Sequence, residues 1–257
     1  MNKRGQVTIF IVIGLILVGA VVLFFVVRSG FVLNLFKEKE INSASFLDLC
    51  IEEKLREGVQ MISMRGGHIT NPLNRTFQFI GEKSNDISYL CYNQNYYLPC
   101  INQEPMLIQH LKKEIKEYIN QDVEECFNKL SASLEKQNYE VEKIYRDFDV
   151  EFAPGKIILN IDAELSLKKN EEVSIEKGFK IIKLSNFYDT AVVVQEIISQ
   201  EAQYCNFEYT GYMLLYPKFK IEKFTTGDST EIYRVEHKNS KEKFQFAVRS
   251  CVIPPGV

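Results

Sequence analysis

FDVEFAPGKIILNIDAELSL, residues 148–167, carries two alternating runs of apolar residues around one reversal. Phe148, Val150 and Phe152 fall at every second position. After Ala153-Pro154-Gly155, so do Ile157, Leu159, Ile161, Ala163, Leu165 and Leu167. Successive side chains of an extended chain point to opposite faces, so each run makes a strand with one apolar face. Proline fixes φ and glycine takes a positive φ cheaply, which suits the reversal. The stretch predicts a half-buried antiparallel hairpin that needs another layer against its apolar side.

Helical stripes on either side of the hairpin supply that layer. Ser45 opens a helix, with Asp48 three residues on in a capping-box-like arrangement. Leu47, Ile51, Leu55, Val59 and Ile62 recur at helical spacing, and Arg65-Gly66-Gly67 ends the run. Short strands are expected at Thr76–Ile80, Ile87–Tyr92 and Tyr96–Pro99. Pro105 suits a first helical turn, and Ile108, Leu111, Ile115 and Ile119 form the next stripe. Val123, Phe127, Leu130 and Leu134 extend it past an expected kink or break near Asn120. Beyond the hairpin, a third strand is expected at Val173–Leu184. A helix follows over Asn186–Tyr204, with Ala191, Val194, Ile198 and Ala202 on one face. Phe219–Phe224, Ile232–Val235 and Phe244–Val248 then form a meander. This order predicts an α+β fold over residues 45–257, with a sub-boundary near 137–145, and not a doubly wound parallel sheet. There is no internal repeat or low-complexity tract.

The chain begins with a short basic leader, residues 1–6, containing Lys3 and Arg4. VTIFIVIGLILVGAVVLFFVV follows, from Val7 to Val27, with Arg28 behind it. About 21 uncharged residues make a helix of about 31 Å, which matches a hydrocarbon core about 30 Å thick. Buried core helices seldom run so long without a polar face, and cleaved secretory signals have shorter apolar regions and a small-residue site. Residues 7–28 therefore read as a single transmembrane helix in the lipid bilayer, and residues 29–44 as a stalk. The positive flanks alone do not fix the orientation.

Basic residues, then Gly5-Gln6, then an unbroken apolar helix resemble the class III signal peptide of archaeal pilins and archaellins. The resemblance covers about residues 3–27. It implies cleavage between Gly5 and Gln6 on the cytoplasmic side, and a retained stem that assembles with copies of itself or with other membrane or envelope proteins. The pattern departs at Phe10, where many type IV pilin-like stems carry Glu. More loosely, the body resembles single-span surface proteins of small-genome archaea.

All 34 acidic residues lie beyond the anchor, with 28 of the 31 basic ones, so the body carries a net charge of about −6. Without a basic block it offers no nucleic-acid surface. Six cysteines, Cys50, Cys91, Cys100, Cys126, Cys205 and Cys251, also lie beyond the anchor. None forms CxxC or sits at zinc spacing with a histidine. An even number in an anchored exterior domain reads as disulfides, and six cysteines allow 15 connectivities. Cys50 and Cys126 flank stripes whose faces need each other, and Cys91 and Cys100 bracket a short loop. That leaves Cys205 for Cys251. The alternative is six reduced thiols in the cytoplasm. Oxidation favours a cytoplasmic N-terminus and an extracytoplasmic body, and the glycosylation sequon Asn74-Arg75-Thr76 fits an exterior loop.

No catalytic motif stands out. There is no GxSxG, HExxH or phosphate-cradling glycine loop. His68, His110 and His237 read as surface or capping residues, with no metal ligand or cofactor site among them. Asp147 with Asp149, and Asp162 with Glu164, read as the solvated face of strands. Between Cys91 and Cys100, Tyr92, Asn93, Asn95, Tyr96 and Tyr97 make a candidate recognition loop, because Tyr and Asn suit adaptable contacts. The functional expectation is a non-enzymatic, single-span cell-surface protein. An anchored exported enzyme, such as a hydrolase, or a ligand-binding module is the alternative.

Overall fold

The computed structural model describes residues 12–22, 24, 42–70, 76–77 and 85–254. Residues 12–22 are helical, and every described residue of this segment is exposed. Among the described residues no helix is long and apolar enough to cross a membrane. The remainder of Val7–Val27 lies outside them, as do Gly5, Gln6, the stalk to Ile41 and Asn74. Residues 42–257 form one compact unit.

That unit is α+β. Helix α1 (Ser43–Met64) starts two residues before Ser45. The Asn42 side chain caps it by accepting from the Ser45 N–H at 2.9 Å, a stronger position for the cap than Ser45 itself. Its stripe is buried at Leu47, Ile51, Leu55 and Ile62, and Gly66 and Gly67 end it with φ of 70° and 87°. Helix α2 (Leu107–Glu135) runs unbroken through Asn120. Continuous burial from Leu111 to Leu134 outweighs the weak local preference of one asparagine.

Contacts at three levels make the two helices antiparallel. Cys50 near the start of α1 is bridged to Cys126 late in α2. Gly58 meets Tyr118 in the middle, where a Cβ would lie 2.7 Å from the ring. Gly67 lies over Leu107 and Leu111 at the start of α2.

The hairpin of residues 148–167 is present and longer than expected. Strand β5 (Glu140–Ala153), β6 (Lys156–Lys169) and β7 (Glu172–Leu184) form an antiparallel sheet in that order. Phe148 pairs with Ile161, Val150 with Leu159 and Phe152 with Ile157. These apolar residues are buried, and the sheet packs against α2, where Phe127 meets Phe179 and Tyr145 at ring distances of 6.0 and 5.8 Å. The reversal at Gly155 is held from α3 (Phe187–Tyr204), because Asp189 accepts from the Gly155 N–H at 3.0 Å.

A second sheet packs against α1 and α3. Its strands are β3 (Tyr89–Tyr92), β4 (Ile101–Asn102), β8 (Phe219–Thr225), β9 (Glu231–His237) and β10 (Lys243–Arg249), in the order β4-β3-β10-β9-β8. The meander β8-β9-β10 is antiparallel, but β10 pairs with β3 in parallel. Ile232-Tyr233-Arg234-Val235 and Phe244–Val248 are buried without alternation, as suits strands covered on both faces. Two short elements lie against this sheet: the ribbon β1 (Thr76–Phe77) with β2 (Asn85–Asp86), whose Phe77 meets Phe224 at 5.1 Å, and helix α4 (Tyr209–Leu215), which packs on β8.

Tyr96–Pro99 is not a strand. The loop there is irregular, with Tyr97 at φ 62°, and β3 pairs instead with Ile101–Asn102. Disulfides join Cys50–Cys126, Cys91–Cys100 and Cys205–Cys251, and no free cysteine remains.

Candidate functional site

The stapled loop leaves β3 at Tyr92 and returns at Cys100. Asn93 shapes it from inside. Its amide donates to the Pro99 carbonyl at 2.7 Å, and its side-chain oxygen accepts from the Asn95 N–H at 3.0 Å. The C-terminal segment pins it from outside, through Tyr97 N–H to the Val252 carbonyl at 3.0 Å and Cys251 N–H to the Leu98 carbonyl at 2.8 Å. The Arg249 guanidinium lies 5.5 Å over the Tyr96 ring and 6.0 Å over that of Tyr92. Tyr96 and Tyr97 remain 46% and 57% exposed, so the loop offers aromatic surface on a fixed backbone.

A second constellation joins residues that are distant in sequence. The Gly66-Gly67 exit of α1 turns His68 towards the start of α2, where His110 and Glu114 sit one turn apart. Glu104 comes from the β4–α2 connection. There Asn102 accepts from the Glu104 N–H at 2.9 Å and the Leu90 carbonyl accepts from the Gln103 N–H at 2.9 Å. The two imidazole rings lie 4.5 Å apart. His68 Nε2 is 3.9 Å from one Glu104 oxygen, and His110 Nδ1 is 3.6 Å from the other. All three residues are half-buried, and one ligand atom from each lies within 4.8 Å of the others.

Two further contacts orient this cluster. His110 Nε2 meets the Gly67 carbonyl at 2.9 Å, and Glu114 accepts from the Ile69 N–H at 2.7 Å, fixing the loop that carries His68. Burial, then the neighbouring His110, holds the His68 imidazole below its usual range and so favours its neutral form. These two histidines, expected in surface or capping roles, are half-buried side by side, and His110 contacts the carbonyl of Gly67 at the exit of α1. The signal missed in the sequence was the i,i+4 pair His110 and Glu114 on an amphipathic helix. Nothing local announced His68 or Glu104.

His237 sits where β9 enters the turn to β10. It is buried at the end of β9, edge-on to Phe219 at 5.6 Å, with Ser240 Oγ 3.3 Å from its Nδ1. Three of the four strand carboxylates are ion-paired on the solvated face. Asp147 meets Lys116 at 2.7 Å, Asp162 meets Arg146 at 2.8 Å and Glu164 meets Lys177 at 3.2 Å. A buried carboxyl that sequence reading passed over is Glu201 on α3. It accepts from the Tyr233 hydroxyl, with Lys223 Nζ 3.6 Å away. Burial is the main cause that raises its pKa.

A cleft of about 750 Å³ opens between α1, the hairpin turn and the β9–β10 turn. Lys183 in its wall bonds Glu52 at 2.8 Å and Asp48 at 2.9 Å. Lys183 lowers the Glu52 pKa, and the two carboxylates raise that of Lys183 against its own desolvation. Both groups are thus held charged near neutrality, the opposite of what a poised acid or base requires.

No family model matches the chain. No curated protein and no solved structure matches it either.

Proposed function

We propose that this is a single-span, membrane-anchored cell-surface protein whose α+β unit lies outside the cytoplasm and acts by binding. The observation that carries the reading is the apolar run Val7–Val27, of which every described residue is exposed. A helix that is apolar all round fits lipid, or a bundle of like stems, as its surroundings. Three disulfides support the exterior side, since such bonds persist in oxidising compartments. The net acidic body, without a basic block, disfavours nucleic acid as a partner.

Binding is preferred over catalysis because the large cleft's Glu52 and Lys183 neutralise each other, while Glu201 is enclosed between α3 and β9. The stapled Tyr/Asn loop is the surface we assign to recognition. The stem's resemblance to pilin leaders adds cleavage between Gly5 and Gln6, and association through the apolar helix with itself or with envelope proteins.

Protease added to intact spheroplasts tests the topology. The account expects the 42–257 unit to become accessible to labelling and cleavage without lysis. Protection until lysis would overturn the orientation.

A further inference from the structure

We propose that His68, Glu104 and His110 bind a divalent first-row transition metal of the zinc class. The arrangement has the composition and the orienting contacts such a site needs. Carbonyl oxygens only accept, so the 2.9 Å contact with Gly67 places the His110 proton on Nε2. In the neutral ring the lone pair then sits on Nδ1, which faces Glu104 at 3.6 Å. His68 Nε2 faces the same carboxylate at 3.9 Å. The His110 Nδ1 lone pair, the His68 Nε2 and the Glu104 carboxylate thus surround one space, and a cation there satisfies them together once His68 carries its proton on Nδ1.

The backbone carbonyl behind His110 is the kind of partner that fixes tautomer and ring orientation in histidine metal sites. Glu114 does the same for the His68 loop through the Ile69 N–H. Two imidazoles and a carboxylate suit zinc and its neighbours better than calcium or magnesium, which prefer all-oxygen shells. Metal–ligand bonds of about 2.0–2.1 Å set ligand atoms about 3.4 Å apart, so side-chain rotations of roughly 1 Å close the site. Half-burial leaves a face open to solvent for a fourth ligand and for the metal to arrive.

The site has a clear place in the fold. Cys50–Cys126 ties the first half of α1 to the second half of α2. The histidine cluster ties the end of α1 to the beginning of α2, roughly 25 Å away at 1.5 Å per residue. A bound metal therefore staples the antiparallel pair at its other end.

The full chain, purified in detergent and stripped with a chelator, is titrated with Zn²⁺ and separately with Co²⁺. Metal content is measured by elemental analysis, and melting is followed by circular dichroism. The expected result is one equivalent of Zn²⁺, a raised melting temperature reversed by chelator, and a visible Co²⁺ spectrum of four-coordinate intensity. His68→Ala and His110→Ala should each weaken binding about 100-fold or more. Glu114→Gln, which leaves the three ligands in place, should weaken it about 10-fold. Glu104→Gln preserves shape and serves where an alanine variant fails to fold. Its binding should also drop at least about 10-fold. Substoichiometric binding by the wild type, or equal affinity in wild type, His68→Ala and Glu104→Gln, would overturn the proposal. The cluster would then serve only to pack the end of α1 against the start of α2.

Discussion

At the scale of single residues, the unit rests on a few positions with no freedom to change. Gly66 takes φ of 70°, and a Cβ there would stand 2.8 Å from the Ser88 carbonyl oxygen. Gly66→Ala should cost about 2 kcal/mol, combining strain with displaced backbone. Urea denaturation of the full chain in detergent measures this, and an unchanged midpoint would contradict the close approach. Glu201 is the residue with a defined pH signature. Its ordinary value is 4.5, and burial raises the folded value, with Glu231 adding to the shift and Tyr233 and Lys223 opposing it. The folded chain therefore holds this proton more tightly than the unfolded chain, and stability falls as pH rises through that window. Glu201→Gln keeps an acceptor for Tyr233 but removes the titration. On acidification from neutral pH towards 5, the wild type should gain stability relative to Glu201→Gln. A relative loss would show that Tyr233 and Lys223 outweigh burial.

At the scale of elements, what was legible in the sequence is what local pattern encodes. The α1 stripe Leu47–Ile62, the alternation of residues 148–167 and the third helix's apolar face each require one burial partner, and each element formed. The exit at Gly66-Gly67 was legible because its conformation excludes most side chains. Strand pairings over long distance were not. β3 and β10 lie parallel across about 155 residues, and only the assembled core decides that Val248 sits beside Cys91. Helix α4 has no buried residue and gives no stripe. The histidine cluster draws on three separate segments, so no spacing rule finds all of it. Disulfides show the value of length. Cys50–Cys126 spans 76 residues and Cys91–Cys100 spans 9. Loop entropy predicts that replacing the first pair by alanine costs about 4.5 kcal/mol and the second about 2.5 kcal/mol. Thermal melts of the two double mutants should rank in that order, and equal losses would mean that strain or residual structure dominates.

At the scale of the whole molecule, an apolar run at one end and an oxidised unit at the other make one account. Under the proposed function the apolar surface meets lipid or like helices. Under the same proposal the cysteines lie in an oxidising compartment, because a cytosolic thiol pool keeps such bonds reduced. The fold supplies the geometry that oxidation requires, with Cα separations of 5.9, 5.3 and 5.7 Å at the three pairs. Each bridge also joins elements that pack for other reasons: α1 to α2, the two ends of the Tyr92–Pro99 loop, and α3 to the segment after β10. The most direct measurement is a disulfide map of the chain from its native host. Thiols are trapped by alkylation in acid before lysis, and peptides are sequenced by mass spectrometry without reduction. The account predicts Cys50–Cys126, Cys91–Cys100 and Cys205–Cys251 as the dominant linked peptides. Six alkylated cysteines would contradict it and place the unit in a reducing compartment.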